Sequence, residues 1–285
     1  SDAVGGDLKL QGNWTRNGSG VFTPKTRAVF FQGGNAQILT GVTTFDFLNM
    51  GKSANNLTLA DDITVNNILK FSDGTNGGNA NGGIIDGATN TKSVTIVASG
   101  SNTGGSATSH VSGQLIQSYT TTGSKTFMIG KGGNYRPLTL NYTALTGTST
   151  VSAEQFEATI PGTIPSGHTV QTGRHWTVTQ TGGSGFTYNI TLDGSTFTPV
   201  SNPVILKGDG ITNTAFAATF SSPNFTTTGL TSLSNFAVAS AANNCPVSTA
   251  VTPAADQEVC TSGTANQLTA TITTSGGVGS PTLQY

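Results

Sequence analysis

Side chains able to do chemistry are few in this 285-residue chain, and most stand apart from one another. The three histidines are His110, His168 and His175. Only His175 sits in an alternating apolar stretch, between Arg174 and Trp176. There it reads as a general base or ligand, or as an aromatic filler at a strand position where Tyr would also fit. Paired carboxylates would suit glycoside hydrolysis. Glu154 and Glu157 are three apart, an odd separation that puts them on opposite faces of a strand. Asp61 and Asp62 are adjacent and diverge in the same way. Gly183-Ser184-Gly185 falls in a hairpin-like loop, not the strand-to-helix elbow of a hydrolase nucleophile. No catalytic residue is therefore assigned, and no enzyme activity is expected.

Oxygen ligands at short spacing on a glycine-rich loop suit Ca²⁺. The stretch from Asp73 to Gly82, with Asp86 following, offers Asp73, Asn76, Asn79 and Asp86 as candidate ligands. It has no closing bidentate Glu, and the alternative is a long surface loop whose Asn and Gly supply turns. No other cofactor is expected. Trp14 and Tyr135 are candidate sugar-contacting aromatics; the alternative is that both pack in a core or interface. Cys245 and Cys260 enclose about 15 residues, and a disulfide there would contribute roughly 3 kcal/mol in the chain-entropy model. A metal pair and two free thiols are the alternatives. We expect the bridge, because low charge and abundant Thr, Ser, Asn and Gly suggest a secreted or surface protein.

The elements that must position these residues are strands. Charged residues make up 9% of the chain, well under the ~25% usual in soluble domains. Strong helix formers are scarce, with three Glu, eight Lys, four Arg and two Met, whereas Thr, Val, Ile and Phe fit a pleated surface. A helical bundle, a coiled coil and an ordinary α/β enzyme are excluded. A net charge of −1 argues against a nucleic-acid partner. No apolar run approaches the ~18–20 residues that span a bilayer.

Residues 1–116 carry short pieces with two apolar residues one apart: Leu8/Leu10, Val29/Phe31, Phe45/Phe47, Leu57/Leu59, Ile63/Val65 and Val94/Ile96. Gly/Asn corners separate them. The recurrence has no fixed period. Such pieces predict a parallel β-helix, in which each coil buries its inward side chains against the next; a β-sandwich is the alternative. No Thr-x-Thr ladder recurs through this region, where Thr89/Thr91 stands alone, which argues against an ice-binding surface.

From 117 to 242 the strands lengthen. Leu138–Tyr142 alternates, as do His175–Thr179 and Phe186–Leu192. The last two flank Gly182–Gly185 and read as strand, glycine-rich turn, strand. This region predicts an antiparallel β-sandwich. Residues 243–285 read as a linker and the start of a further β module, which stops inside a strand at Tyr285. We expect a longer native chain, or strands completed by another molecule.

Three phrases carry a resemblance. They are Gly12-Asn13-Trp14-Thr15, the stretch Phe127–Leu140 with its Gly132-Gly133-Asn134-Tyr135-Arg136-Pro137, and Leu233–Val238. They resemble the large repetitive surface proteins of Bacteroidetes exported by the type IX secretion system. That resemblance implies a β-helix, then a β-sandwich, then Ig-like repeats beginning near Val259-Cys260. It implies an extracellular or cell-surface location and a structural or adhesive role: a stalk, a filament or an adhesin segment, with gliding motility among the group's activities. The expected partner is an extracellular one, a glycan or another copy of the chain. A carbohydrate-binding or polysaccharide-cleaving β-helix protein is the alternative.

Overall fold

Alternation at period two becomes strands throughout the chain. The computed structural model describes residues 6–71, 83–199 and 202–242. These all belong to the unit Ser1–Ala242. Asp73, Asn76, Asn79, Cys245, Cys260 and the expected Ig-like segment lie outside the described residues, and so do the disulfide and most of the calcium set.

The first strands fall into two parallel sheets. They are β1 (Leu8–Leu10), β2 (Trp14–Thr15), β3 (Ala28–Gly33), β4 (Gln37–Thr40), β5 (Thr43–Lys52) and β6 (Leu57–Leu59). β7 (Ile63–Phe71), β8 (Ile85–Asp86), β9 (Ser93–Ile96), β10 (Ser101–Thr103), β11 (Val111–Ser112) and β12 (Gln114–Tyr119) follow. One sheet runs β1-β3-β5-β7-β9-β12 and the other β2-β4-β6-β8-β11. All these neighbours pair in parallel. The product is a β-solenoid of about five turns, as the sequence predicts.

Register stacks like on like inside the coil. Phe31, Met50 and Phe71 form one column, and Ile63, Val94 and Leu115 another. Leu57, Ile85 and Val111 line the opposite sheet. Each of these side chains is essentially excluded from solvent. At ~1.5–3 kcal/mol for each fully buried aliphatic or aromatic side chain, these columns are the main force holding one coil on the next.

Polar side chains brace the corners. Asp7 Oδ1 accepts from the Ala28 N–H at 3.0 Å, Asn13 Oδ1 from Ile38 at 2.9 Å and Asp46 Oδ2 from Thr26 at 2.6 Å. Asp61 Oδ2 reaches back to the Gly41 N–H at 2.7 Å, and Asp62 Oδ1 reaches forward to Ser93 at 2.8 Å. The two adjacent carboxylates thus diverge, each pinning a different neighbouring coil. Lys52, fully buried, donates to Asn35 O at 2.8 Å and to Gln37 Oε1 at 2.6 Å. Gln37 Nε2 continues the chain to Gly12 O at 2.6 Å. Burial holds the Lys52 ammonium below its ordinary pKa.

Strand direction changes at β12. There follow β13 (Gly123–Phe127), β14 (Ile129–Lys131), β15 (Asn134–Tyr135), β16 (Leu138–Phe156), β17 (His168–Val170) and β18 (His175–Asp193). The last strands are β19 (Asn202–Gly208), β20 (Asn213–Ala217), β21 (Thr219–Ser221), β22 (Asn224–Leu230) and β23 (Asn235–Ala241). β14 still stacks in parallel on β11, so the second solenoid sheet continues to Lys131. β12 pairs β9 in parallel on one edge and β16 antiparallel on the other. The antiparallel region therefore grows from the solenoid's own sheet. One core cluster runs from Val29 to Val238 without a break at the change of direction.

The hairpin expected around Gly182–Gly185 does not form. His175–Thr179 and Phe186–Leu192 are parts of one strand, β18, and both pair with β16, from Leu138↔Leu192 to Phe156↔His175. The glycines make a bend instead of a turn. Gly182, Gly183 and Gly185 sit at φ +70°, +66° and +53°, opposite register shifts between Tyr142 and Ser149 where Gly147 sits at +77°. Both strands fold over at this shared corner. Nineteen extended residues would span ~60 Å. Yet Arg174, immediately before β18, bonds Asp193 at its far end at 3.2 Å.

Candidate functional site

The doubled strand brings together the ionisable groups that do meet. Arg174 Nη1 donates to Asp193 O at 3.1 Å and to Asp193 Oδ2 at 3.2 Å, and Nη2 donates to Thr196 Oγ1 at 2.8 Å. Arg136 Nη1 lies 3.4 Å from the same Asp193 oxygen and donates to Ser195 Oγ at 2.8 Å. Arg136 Nε is 3.5 Å from Glu157 Oε1, which also accepts from Gln155 at 3.0 Å. Trp176 Nε1 closes the cluster on Arg136 O at 2.8 Å. Burial and the neighbouring Arg136 both lower the Arg174 pKa, against the pull of Asp193 and Glu157. Arg174 Nε and Gln155 Oε1 are buried without a hydrogen-bond partner. Chemically this is a clasp for the ends of β16 and β18.

The residues singled out by sequence fall as follows. His175 is buried, stacks on Phe156 at 4.9 Å and 9°, and its Nδ1 meets Ala158 O at 2.8 Å, as a strand filler would. His168 opens β17, with Nδ1 3.0 Å from Ser166 O. His110 is fully buried, with Nδ1 3.0 Å from Ser106 O, and burial lowers its pKa. Glu154 and Glu157 face different cations. Glu157 meets Arg136; Glu154 lies near Lys131, and its pKa is raised by burial. Asp86 binds Thr89, accepting from its N–H at 3.2 Å and its hydroxyl at 2.6 Å. Among the described residues no three His, Cys, Asp or Glu converge on a metal position.

Trp14 is half-buried, edge-on to Phe22 at 4.8 Å and Phe45 at 5.5 Å, and its N–H donates to Thr43 Oγ1 at 3.1 Å. Tyr135 is half-buried beside His110 and against Gly105, where any side chain would strike its hydroxyl. Both aromatics pack against neighbouring groups and keep part of their surface exposed. Sequence reasoning missed the clasp, whose only local signal is isolated charge in an uncharged chain.

It also missed a concave site at the shared corner. β18 pairs β23 only at Trp176 and Thr177, and pairs β22 only from Tyr188 onward. Between them that edge of the strand has no partner strand among the described residues. The gap is an open groove of ≈ 590 Å³, walled by Thr177–Gln180, Gly182, Gly183 and Phe186 on one side and Ser232–Asn235 on the other. Thr177 Oγ1 donates to Asn235 Oδ1 at 2.7 Å. Gln180 accepts from Tyr142 OH at 2.6 Å and donates to Gly182 O at 2.8 Å, so its amide is fixed.

No family model, no curated protein and no solved structure matches the chain. Among the described residues no helix is long and apolar enough to cross a membrane.

Proposed function

We propose that this chain is an extracellular structural or adhesive segment, a stiff β-rich stalk that carries contact surfaces. One observation supports the reading above others: the solenoid sheet passes through β12 into the antiparallel strands with one continuous core, Val29 to Val238. Load applied along such a body is shared by backbone ladders and stacked apolar columns, not by a flexible linker. The doubled β16 and β18, with partners on both edges, support reading residues 117–242 as a two-layer sandwich whose strands turn the corner between layers. The ionisable groups that meet hold the ends of β16 and β18 together in the Arg136–Arg174 clasp, which supports a structural role for them. Low charge and the resemblance to type IX-exported surface proteins support a cell-surface location. The continuation beyond 242 then reads as Ig-like.

Protease shaving and antibody labelling of intact cells making the full-length protein test this reading. Surface exposure, with no turnover across a polysaccharide panel, is the expected result. Confinement to the cytoplasm, or turnover of any polysaccharide by the purified protein, overturns it.

A further inference from the structure

We propose that the groove at the shared corner of β16 and β18 binds a neutral oligosaccharide. The inference deepens the adhesive reading and rests on it, naming a place and a ligand class. Three observations converge. The first is the edge of β18 between Thr177 and Tyr188, which has no strand partner among the described residues; along it the Val178 N–H donates across the groove to Ser234 O at 2.9 Å and Gly182 O accepts from Gln180 Nε2 at 2.8 Å. Such an edge ordinarily recruits another strand. Here Thr177–Gly182 keep an unbroken register with β16, and Gly182, Gly183 and Gly185 at positive φ turn the strand at the end of that run, so the ladder open to an added peptide is short. A ligand whose donors and acceptors are arranged around a ring fits such an edge better than an extended peptide.

The second observation is the chemistry of the walls. Thr179, Gln180, Ser232 and Asn235 present hydroxyls and amides, and the lining contains no charged side chain. Lys207, at the rim, donates to Ser232 Oγ at 2.7 Å. Hydroxyl and amide groups both donate and accept, as sugar hydroxyls do. The bonds holding Gln180 and Asn235 set these groups before a ligand arrives, which lowers the ordering cost of binding. The third is Phe186, half-buried against Tyr142 at 5.7 Å, with Leu233 on the opposite wall. Phe186 and Leu233 supply the apolar part of the lining for the C–H side of a sugar, beside the polar groups that fix orientation. A volume of ≈ 590 Å³ lies within the ~300–1,000 Å³ range of small-ligand sites.

The test titrates the isotope-labelled chain with cellohexaose, laminarihexaose, xylohexaose and chitohexaose, and with an alginate oligomer as the acidic counterpart. At least one neutral sugar should saturate, with amide shifts centred on Thr179, Phe186 and Asn235. Thr179→Lys, at an exposed position, should weaken it by about tenfold or more with an unchanged fold. Ser232→Tyr fills the groove from the opposite wall and should do the same, so the result does not depend on one variant folding. Four results overturn the proposal: no neutral sugar shifts any groove resonance; only alginate binds; shifts fall away from the groove; or both folded variants bind as the parent does. Any of these, with surface exposure intact on cells, leaves the structural reading standing and removes only the sugar.

Discussion

Replacing Arg174 by Met should loosen the fold-back of β18. Its side chain is 2% exposed and that of Asp193 9% exposed. Removing one partner of a buried pair costs ~3–5 kcal/mol, chiefly because the other charge is left in a poor solvent. Asp193 keeps Arg136 at 3.4 Å and the Ser195 hydroxyl at 2.7 Å. That places Arg174→Met near the low end, about 3 kcal/mol. For a body of this size, at roughly 2–4 °C per kcal/mol, the melting temperature should drop by about 6–12 °C. Urea unfolding of Arg174→Met, Asp193→Asn and the double variant measures the coupling. The double variant should be less destabilised than the sum of the singles by ~1–3 kcal/mol, since each single strands a charge the other removes. A loss under ~1 kcal/mol for Arg174→Met, or strict additivity, would refute the claim that this pair clasps the strand ends.

Burial holds the phenols of Tyr119, Tyr142 and Tyr188 above their ordinary range and pushes Tyr135 up to about 12. A phenol with a raised folded pKa contributes stability that is fully present below its unfolded value near ~10 and lost as pH climbs. Absorbance at the phenolate band should therefore show these four rings ionising late, Tyr135 half-way at about 12; titration of all four at the free-tyrosine value would contradict their packing. His110 is the reverse case. Burial lowers its pKa, so its contribution is present above the unfolded value of ~6.5 and is lost on acidification. His110→Gln should flatten the fall in melting temperature between neutral and mildly acid buffer, and an unchanged slope would exclude His110 as its source. Asp61→Ala removes the acceptor for the Gly41 N–H and should cost ~1–3 kcal/mol in urea, whereas Asp61→Asn keeps an acceptor and should cost less. Equal losses for the two would show that the brace does not depend on an acceptor at that position.

How much was legible in the sequence depended on the distance between partners. The strands β1, β3, β5, β6, β7 and β9 were marked by their own alternation, because the two faces of a strand are set by adjacent residues; two-residue strands such as β2, β8 and β11 are too short to show one. The coil register was not, because parallel partners sit at irregular separations such as Val111 with Ile129 and Ile63 with Val94. Unequal corners leave no period to read. The Gly182–Gly185 run looked like a turn because glycines at positive φ serve a hairpin and a bend equally. Only the identity of the pairing strand, β16, distinguishes them. The clasp was invisible for the same reason, since Arg136 and Asp193 are 57 residues apart. The groove has no local signature at all. It exists because β22 and β23 leave β18 at different points, and nothing in residues 177–186 records where those strands end.

Pulling the Ser1–Ala242 unit from its two ends in an optical trap tests the central claim most directly. If solenoid and antiparallel strands form one load-bearing body through β12 and a continuous core, the chain should resist and then open in one dominant event. That event should release nearly the full contour length at ~3.6 Å per residue. A staircase of small, low-force steps, each the length of one coil, or a solenoid that opens well before the antiparallel strands, would contradict it.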